Sequence, residues 1–142
     1  MSTENTNQTD DRQLEFNFGD RPAVTLASTE CYLEQTLADS IQTLCELAHQ
    51  VAREHGWWER ERSFGECIAL MHSELSEALE FDRHGNPPSD HIPEFTGVEE
   101  ELADCIIRIF DYCGRNNLRL GKAITSKMKF NDSRPYKHGK KY

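Results

Sequence analysis

Three stretches of this chain repeat their apolar residues every three or four positions, and each is bounded by residues that start or stop a helix. Leu37, Ile41, Leu44, Ala48 and Val51 share one helical face and predict a helix from about Leu37 to His55, stopped by Gly56. Ser63 and Glu66 form a capping box ahead of Phe64, Cys67, Ile68, Met71, Leu75, Ala78 and Leu79, a second helix that ends near His84-Gly85. Thr96 and Glu99 repeat the box before a third helix, about Gly97 to Asn116, with Val98, Leu102, Cys105, Ile106, Ile109, Phe110 and Cys113 inside. A fourth runs from about Leu120 to Asn131, and Pro135 ends it. Few segments alternate with period two, so no strands are expected. The reading is an all-α fold, a compact four-helix bundle. Wide apolar stripes on short helices predict a homo-oligomer, dimer or tetramer, that shares its core.

Residues 1–34 lack helical periodicity and are rich in Thr, Asn, Asp and Gln, which predicts a mostly disordered tail ahead of one domain, 35–142. Within the tail, Gln13 to Phe18 resembles the short peptides that dock on the bacterial sliding clamp, with Phe16 where leucine is usual. No apolar run is long enough for a membrane span, and the N-terminus has no signal-peptide character, so a cytoplasmic protein is expected. The five cysteines, Cys31, Cys45, Cys67, Cys105 and Cys113, contain no C-x-x-C pair, and most fall at apolar helix positions. They read as reduced, core-type thiols and not as a zinc site or a disulfide framework. Net charge is −9, yet residues 119–142 carry eight Lys/Arg against Asp132 alone, a local +7 that leaves −16 for the rest. An acidic body with a basic end does not suit direct duplex nucleic-acid binding. It suits carboxylates that hold cations, with a polyanion between those cations and basic side chains.

The carboxylates have the spacing for this. Glu74 and Glu77 form E-x-x-E on the second helix, and Glu101 and Asp104 form E-x-x-D on the third. Residues three apart share a helix face, with Cβ atoms ~5–6 Å apart. Two such helices side by side offer four hard oxygen donors, a set for Mg²⁺ or Mn²⁺. Solvated acidic faces are the plain alternative for glutamates in so acidic a chain. A di-iron bundle would need Glu-x-x-His pairs, and none is present. A triphosphate brings about four further negative charges, so more than one metal ion and added cations are expected.

Gly56-Trp57-Trp58, Gly65-Glu66 and His72 to Glu80 resemble the first half of MazG-like nucleotide pyrophosphohydrolases. Glu94 to Gly97, Glu99 to Asp104, and Lys127 to Asn131 leading into Arg134 to Gly139 resemble the second. The resemblance covers about residues 38–142. It implies an all-α dimer or dimer of dimers, with Mg²⁺ on Glu74, Glu77, Glu101 and Asp104. It implies Mg²⁺-dependent hydrolysis of a nucleoside triphosphate, deoxynucleoside by preference, to monophosphate and pyrophosphate, for pool control or house-cleaning. Lys127 and Asn131 carry over as nucleotide contacts, and Arg134 is a phosphate candidate by charge. Trp58 is a candidate for stacking on the base, or else a core tryptophan. Two rival functions stand beside this: a non-catalytic helical interaction module with a clamp-docking tail, and a pyrophosphohydrolase for a modified or alarmone nucleotide.

Overall fold

The computed structural model describes residues 26–135, with side chains from residue 31 onward. Four helices make up the fold: α1 (Leu26–Glu54), α2 (Phe64–Arg83), α3 (Gly97–Arg115) and α4 (Leu120–Asp132). Among the described residues no strand forms; a lone antiparallel bridge pairs Pro88 with Thr96. No described helix is long and apolar enough to cross a membrane. The Gln13–Phe18 segment lies outside the described residues.

Both capping boxes form as the sequence predicts. Ser63 Oγ accepts from Glu66 N, and the Glu66 carboxylate accepts from Ser63 N at 2.8 Å. Thr96 and Glu99 repeat the exchange at the start of α3. Each box satisfies helix N–H groups that lack an intrahelical acceptor. Gly56 lies in the turn that follows α1 with φ +80°, a left-handed value that a side chain disfavours. α1 begins earlier than expected, so residues 26–34 belong to a helix and not to the tail. Once a helix is nucleated, each added residue gains a hydrogen bond at small cost, so a polar stretch extends it without an apolar stripe. Glu34 there is ion-paired with Lys129 of α4.

The packed pairs run α2 with α3, α3 with α1, and α1 with α4. Each is antiparallel. Phe81 of α2 lies on Gly97 of α3 while Glu74 reaches Arg108. Cys45 of α1 lies on Gly114 of α3 while His49 reaches Asp111, and Ala38 lies on Gly121 of α4 while Glu34 reaches Lys129. The helices therefore form an open row, and among the described residues no further packed pair of this kind closes it into a bundle.

This row corrects the expected core. Small residues make the contacts: Ala38, Cys45, Cys67, Ala78, Cys105 and Cys113 are buried. The predicted inward leucines of α1, Leu37 and Leu44, remain 46% and 47% exposed, and Leu75, Leu79, Leu102 and Ile106 are exposed likewise. One residue along a helix is a rotation of ~100°, so a face set by Ala38 and Cys45 turns Leu37 and Leu44 away from it. Close backbone approach at Gly114 and Gly121 selects that face.

Candidate functional site

The antiparallel pairing of α2 and α3 sets E-x-x-E against E-x-x-D. Carboxylate oxygens of Glu74, Glu77 and Glu101 all lie within 4.8 Å of one another, from two helices. Glu74 and Glu101 are buried and Glu77 is exposed. Asp104, one turn further on α3, is exposed and lies outside this trio. It is close enough to sense it: partial desolvation, and then the Glu74 charge, push the Asp104 carboxyl above its ordinary value.

Crowding acts most on Glu101. Burial first, then the Glu77 charge and contact with Glu74, raise its pKa to about 7. Among the described residues Arg108 supplies the one direct counter-charge, its Nε donating to Glu74 Oε1 at 2.5 Å. Three carboxyl groups against one guanidinium leave the cluster short of positive charge, and Glu101 meets part of that shortage by holding its proton up to about pH 7. Buried charges need pairing or metal coordination. An all-oxygen donor set fits a hard divalent cation, and offers none of the nitrogen or sulfur that zinc favours.

Beside the trio a groove of about 540 Å³ runs between α1 and α3. Leu47, Ala48, Val51, Ile107 and Phe110 give it an apolar lining, and Trp57, Arg62, Asp104, Arg108 and Asp111 add polar groups and a ring. Trp57 is 49% exposed, with the Arg62 guanidinium carbon 5.1 Å and that of Arg108 5.9 Å from its ring centre. Trp58 is engaged elsewhere. Its indole N–H donates to both Asp111 oxygens at 2.8 and 3.0 Å, its ring meets His49 edge-on, and Arg115 lies over it.

Lys127, Asn131 and Arg134 lie on or just after α4, with Lys127 and Arg134 over the Phe130 ring. Within one chain they are not gathered at the carboxylates. α4 is level with Glu34 of α1 through Lys129, whereas Asp104 shares its groove with Val51 and His55. At 1.5 Å per residue, those two levels of α1 are roughly 25–30 Å apart. The cations that do adjoin the trio and groove are Arg108 and Arg62. Arg108 follows Glu101 and Asp104 at helical spacing, and with Asp111 the four make one polar line along α3. Arg62 sits in the charged run Glu59 to Arg62, which reads as a solvated surface, and only the tertiary fold turns it towards Trp57.

No family model matches the chain, and no curated protein or solved structure matches it at a significant level.

Proposed function

We propose that the chain is a Mg²⁺-dependent, MazG-like pyrophosphohydrolase that splits a nucleoside triphosphate, deoxynucleoside by preference, into monophosphate and pyrophosphate. The observation that carries this reading is the convergence of Glu74, Glu77 and Glu101 from two helices within 4.8 Å, with one arginine to balance them. Glu74, Glu77 and Glu101 would hold the ion, with Asp104 as a fourth acid on the adjoining turn. Bound divalent cations supply charge neutralisation at the phosphates and lower the pKa of nearby water. Water adds to the α-phosphorus, the bond from that phosphorus to the bridging oxygen breaks, and pyrophosphate leaves with that oxygen. Glu74 is engaged with Arg108, so Glu77, the exposed member of the trio, would be the carboxylate that takes the proton. Arg108 holds Glu74 in place and keeps positive charge next to the cluster.

In the same reading, a second copy of the chain covers the exposed Leu33, Leu37, Leu44, Leu47 and Val51 of α1. These lie within ~40° of one direction around the helix axis and form a single stripe. Stripes of this size are rarely left to water.

Pyrophosphate release from a panel of deoxynucleoside triphosphates, with and without Mg²⁺, tests the activity, with Glu77→Gln as control. Release by wild type alone supports the reading. No release from any nucleotide, by wild type and variant alike, removes it.

A further inference from the structure

We propose that His91, held by Glu100, is the general acid of the proposed hydrolysis and gives its Nε2 proton to the pyrophosphate as it leaves. This rests on the pyrophosphohydrolase reading and assigns a second proton-transfer residue to it.

The first ground is how the ring is held. The loop of residues 84–96 joins α2 to α3 and is tied down along its length. Ser89 N donates to Phe95 O and Gly97 N to Pro87 O, each at 2.9 Å, and Asn86 Oδ1 accepts from Val98 N at 3.0 Å. Ser89 is buried, and its Oγ accepts from the N–H groups of His91 and Ile92 at 3.0 and 2.9 Å. That fixes the backbone of His91. The ring is fixed too: Glu100 of α3 accepts from Nδ1 at 2.7 Å, and the Ser89 hydroxyl donates to the same carboxylate.

The second ground is what this leaves open. The His91 side chain is 85% exposed, and among the described residues Nε2 has no partner. Pinning the loop needs only Nδ1 and leaves Nε2 without a task. A carboxylate on Nδ1 with Nε2 open is the arrangement in which an imidazole moves protons, because the acid orients the ring and stabilises the imidazolium. The Glu100 hydrogen bond first, and then its charge, push the His91 pKa above its ordinary 6.5, and the charges of Asp90 beside it and Asp104 on α3 add to this.

The third ground is place. Glu100 directly precedes Glu101 of the trio, and Asp104 lies one turn on along the same face of α3. The Asp104 carboxyl senses both Glu74 of the trio and His91. The imidazole therefore stands at the edge of the acid cluster. As the bond from the α-phosphorus to the bridging oxygen breaks, that oxygen departs with the electron pair, and the Nε2 proton moves to the pyrophosphate. The proton of the attacking water goes to Glu77. Neutral His91 then takes a proton from solvent and Glu77 returns one, since both are exposed.

The test measures kcat and KM against pH, with Mg²⁺ and a deoxynucleoside triphosphate, for wild type, His91→Gln, Glu100→Gln and, as an exposed-histidine control at the end of α2, His84→Gln. Wild-type kcat should fall on the alkaline side as His91 loses its proton. His91→Gln should lower kcat about hundredfold, leave KM little changed and remove the alkaline fall. Glu100→Gln should move that fall to lower pH, since it removes the partner that raises the His91 pKa, and His84→Gln should match wild type. An unchanged kcat and alkaline limb in His91→Gln overturn the assignment and leave the hydrolase standing. A lower kcat with the limb retained marks a structural role and overturns it too. Without metal or nucleotide, an NMR titration of the His91 imidazole should give a pKa above 6.5 in wild type and a lower one in Glu100→Gln. Equal values remove the hold of Glu100 on His91 and the proposal with it. If wild type turns over no nucleotide, the hydrolase reading and the general acid fall together.

Discussion

Arg108 Nε sits 2.5 Å from Glu74 Oε1, and among the described residues this contact is the one direct cationic balance for a cluster of three glutamates from two helices. It joins α3 to α2 at the level where the E-x-x-E and E-x-x-D pairs meet. A cation at the cluster and the Arg108 guanidinium therefore do overlapping electrostatic work.

That overlap predicts the behaviour of Arg108→Gln. Without metal, the variant loses about 2–3 kcal/mol, the range for a hydrogen bond to a charged group. On the proposed function the loss should shrink with Mg²⁺ present, since an ion bound to the folded cluster would replace the missing charge. Thermal melts at several Mg²⁺ concentrations check this. Equal Mg²⁺-induced rises in Tm for wild type and variant would remove the shared role.

Glu101 sets the pH dependence. Its carboxyl titrates at about 7 in the folded state against an ordinary 4.5. Between these values the folded chain keeps a proton that the unfolded chain has released, so stability falls as pH rises through the window. Glu101→Gln removes the titration and should gain on wild type as pH rises from 4.5 to 7 in metal-free buffer. Protons and Mg²⁺ compete for the same oxygens, so the Mg²⁺-induced rise in wild-type Tm should grow over that window. A pH-independent gap between the two melting curves would contradict the assignment.

Much of this was legible in the sequence, and the failures have common causes. Ser63 with Glu66 and Thr96 with Glu99 fixed the starts of α2 and α3, because capping is local chemistry. The spacings within Glu74/Glu77 and within Glu101/Asp104 were also local, and the antiparallel packing of α2 on α3 gathered three of these four acids and left Asp104 outside. Leu37 and Leu44 were misplaced because an apolar stripe names a face to be buried and not the surface that buries it. In this chain, Ala38 and Cys45 take the intramolecular contacts. Arg62 and Trp57 meet across a turn that no periodicity describes.

Gly121 offers a sharp test of those small-residue contacts. A Cβ added there would stand 2.0 Å from the Ala38 carbonyl oxygen, and at Gly114 2.2 Å from that of Cys45. Alanine ordinarily improves a helix by about 1 kcal/mol over glycine. Here, α1 must move, and overpacking should reverse the sign, with a net loss of about 1–3 kcal/mol for Gly121→Ala. Urea unfolding of the single variants measures it. A stabilised variant would show that α1 and α4 do not approach so closely.

The exposed leucines predict association. Leu37→Lys combined with Leu44→Lys places charge in the α1 stripe without touching Ala38 or Cys45. Light scattering should give a dimer or tetramer for wild type and a monomer for the double variant. A wild-type monomer at high concentration would refute a shared stripe.

Trp58 and Asp111 provide the last test, since their contact ties the turn after α1 to α3. The indole N–H donates to both carboxylate oxygens, at 2.8 and 3.0 Å, while His49 Nδ1 lies 2.8 Å from one of them. All three residues are partly buried, so a lost partner leaves charge poorly solvated. Trp58→Phe keeps a ring against His49, removes the donor and shrinks the aromatic face under Arg115. It should lower stability by about 1–2 kcal/mol. Asp111→Ala removes the acceptor outright and should cost at least as much, and the two together should cost less than their sum, because both remove one interaction. A double-mutant cycle by chemical unfolding reads this coupling. Strict additivity would mean that the indole and the carboxylate act independently, and that the turn is held to α3 by packing alone.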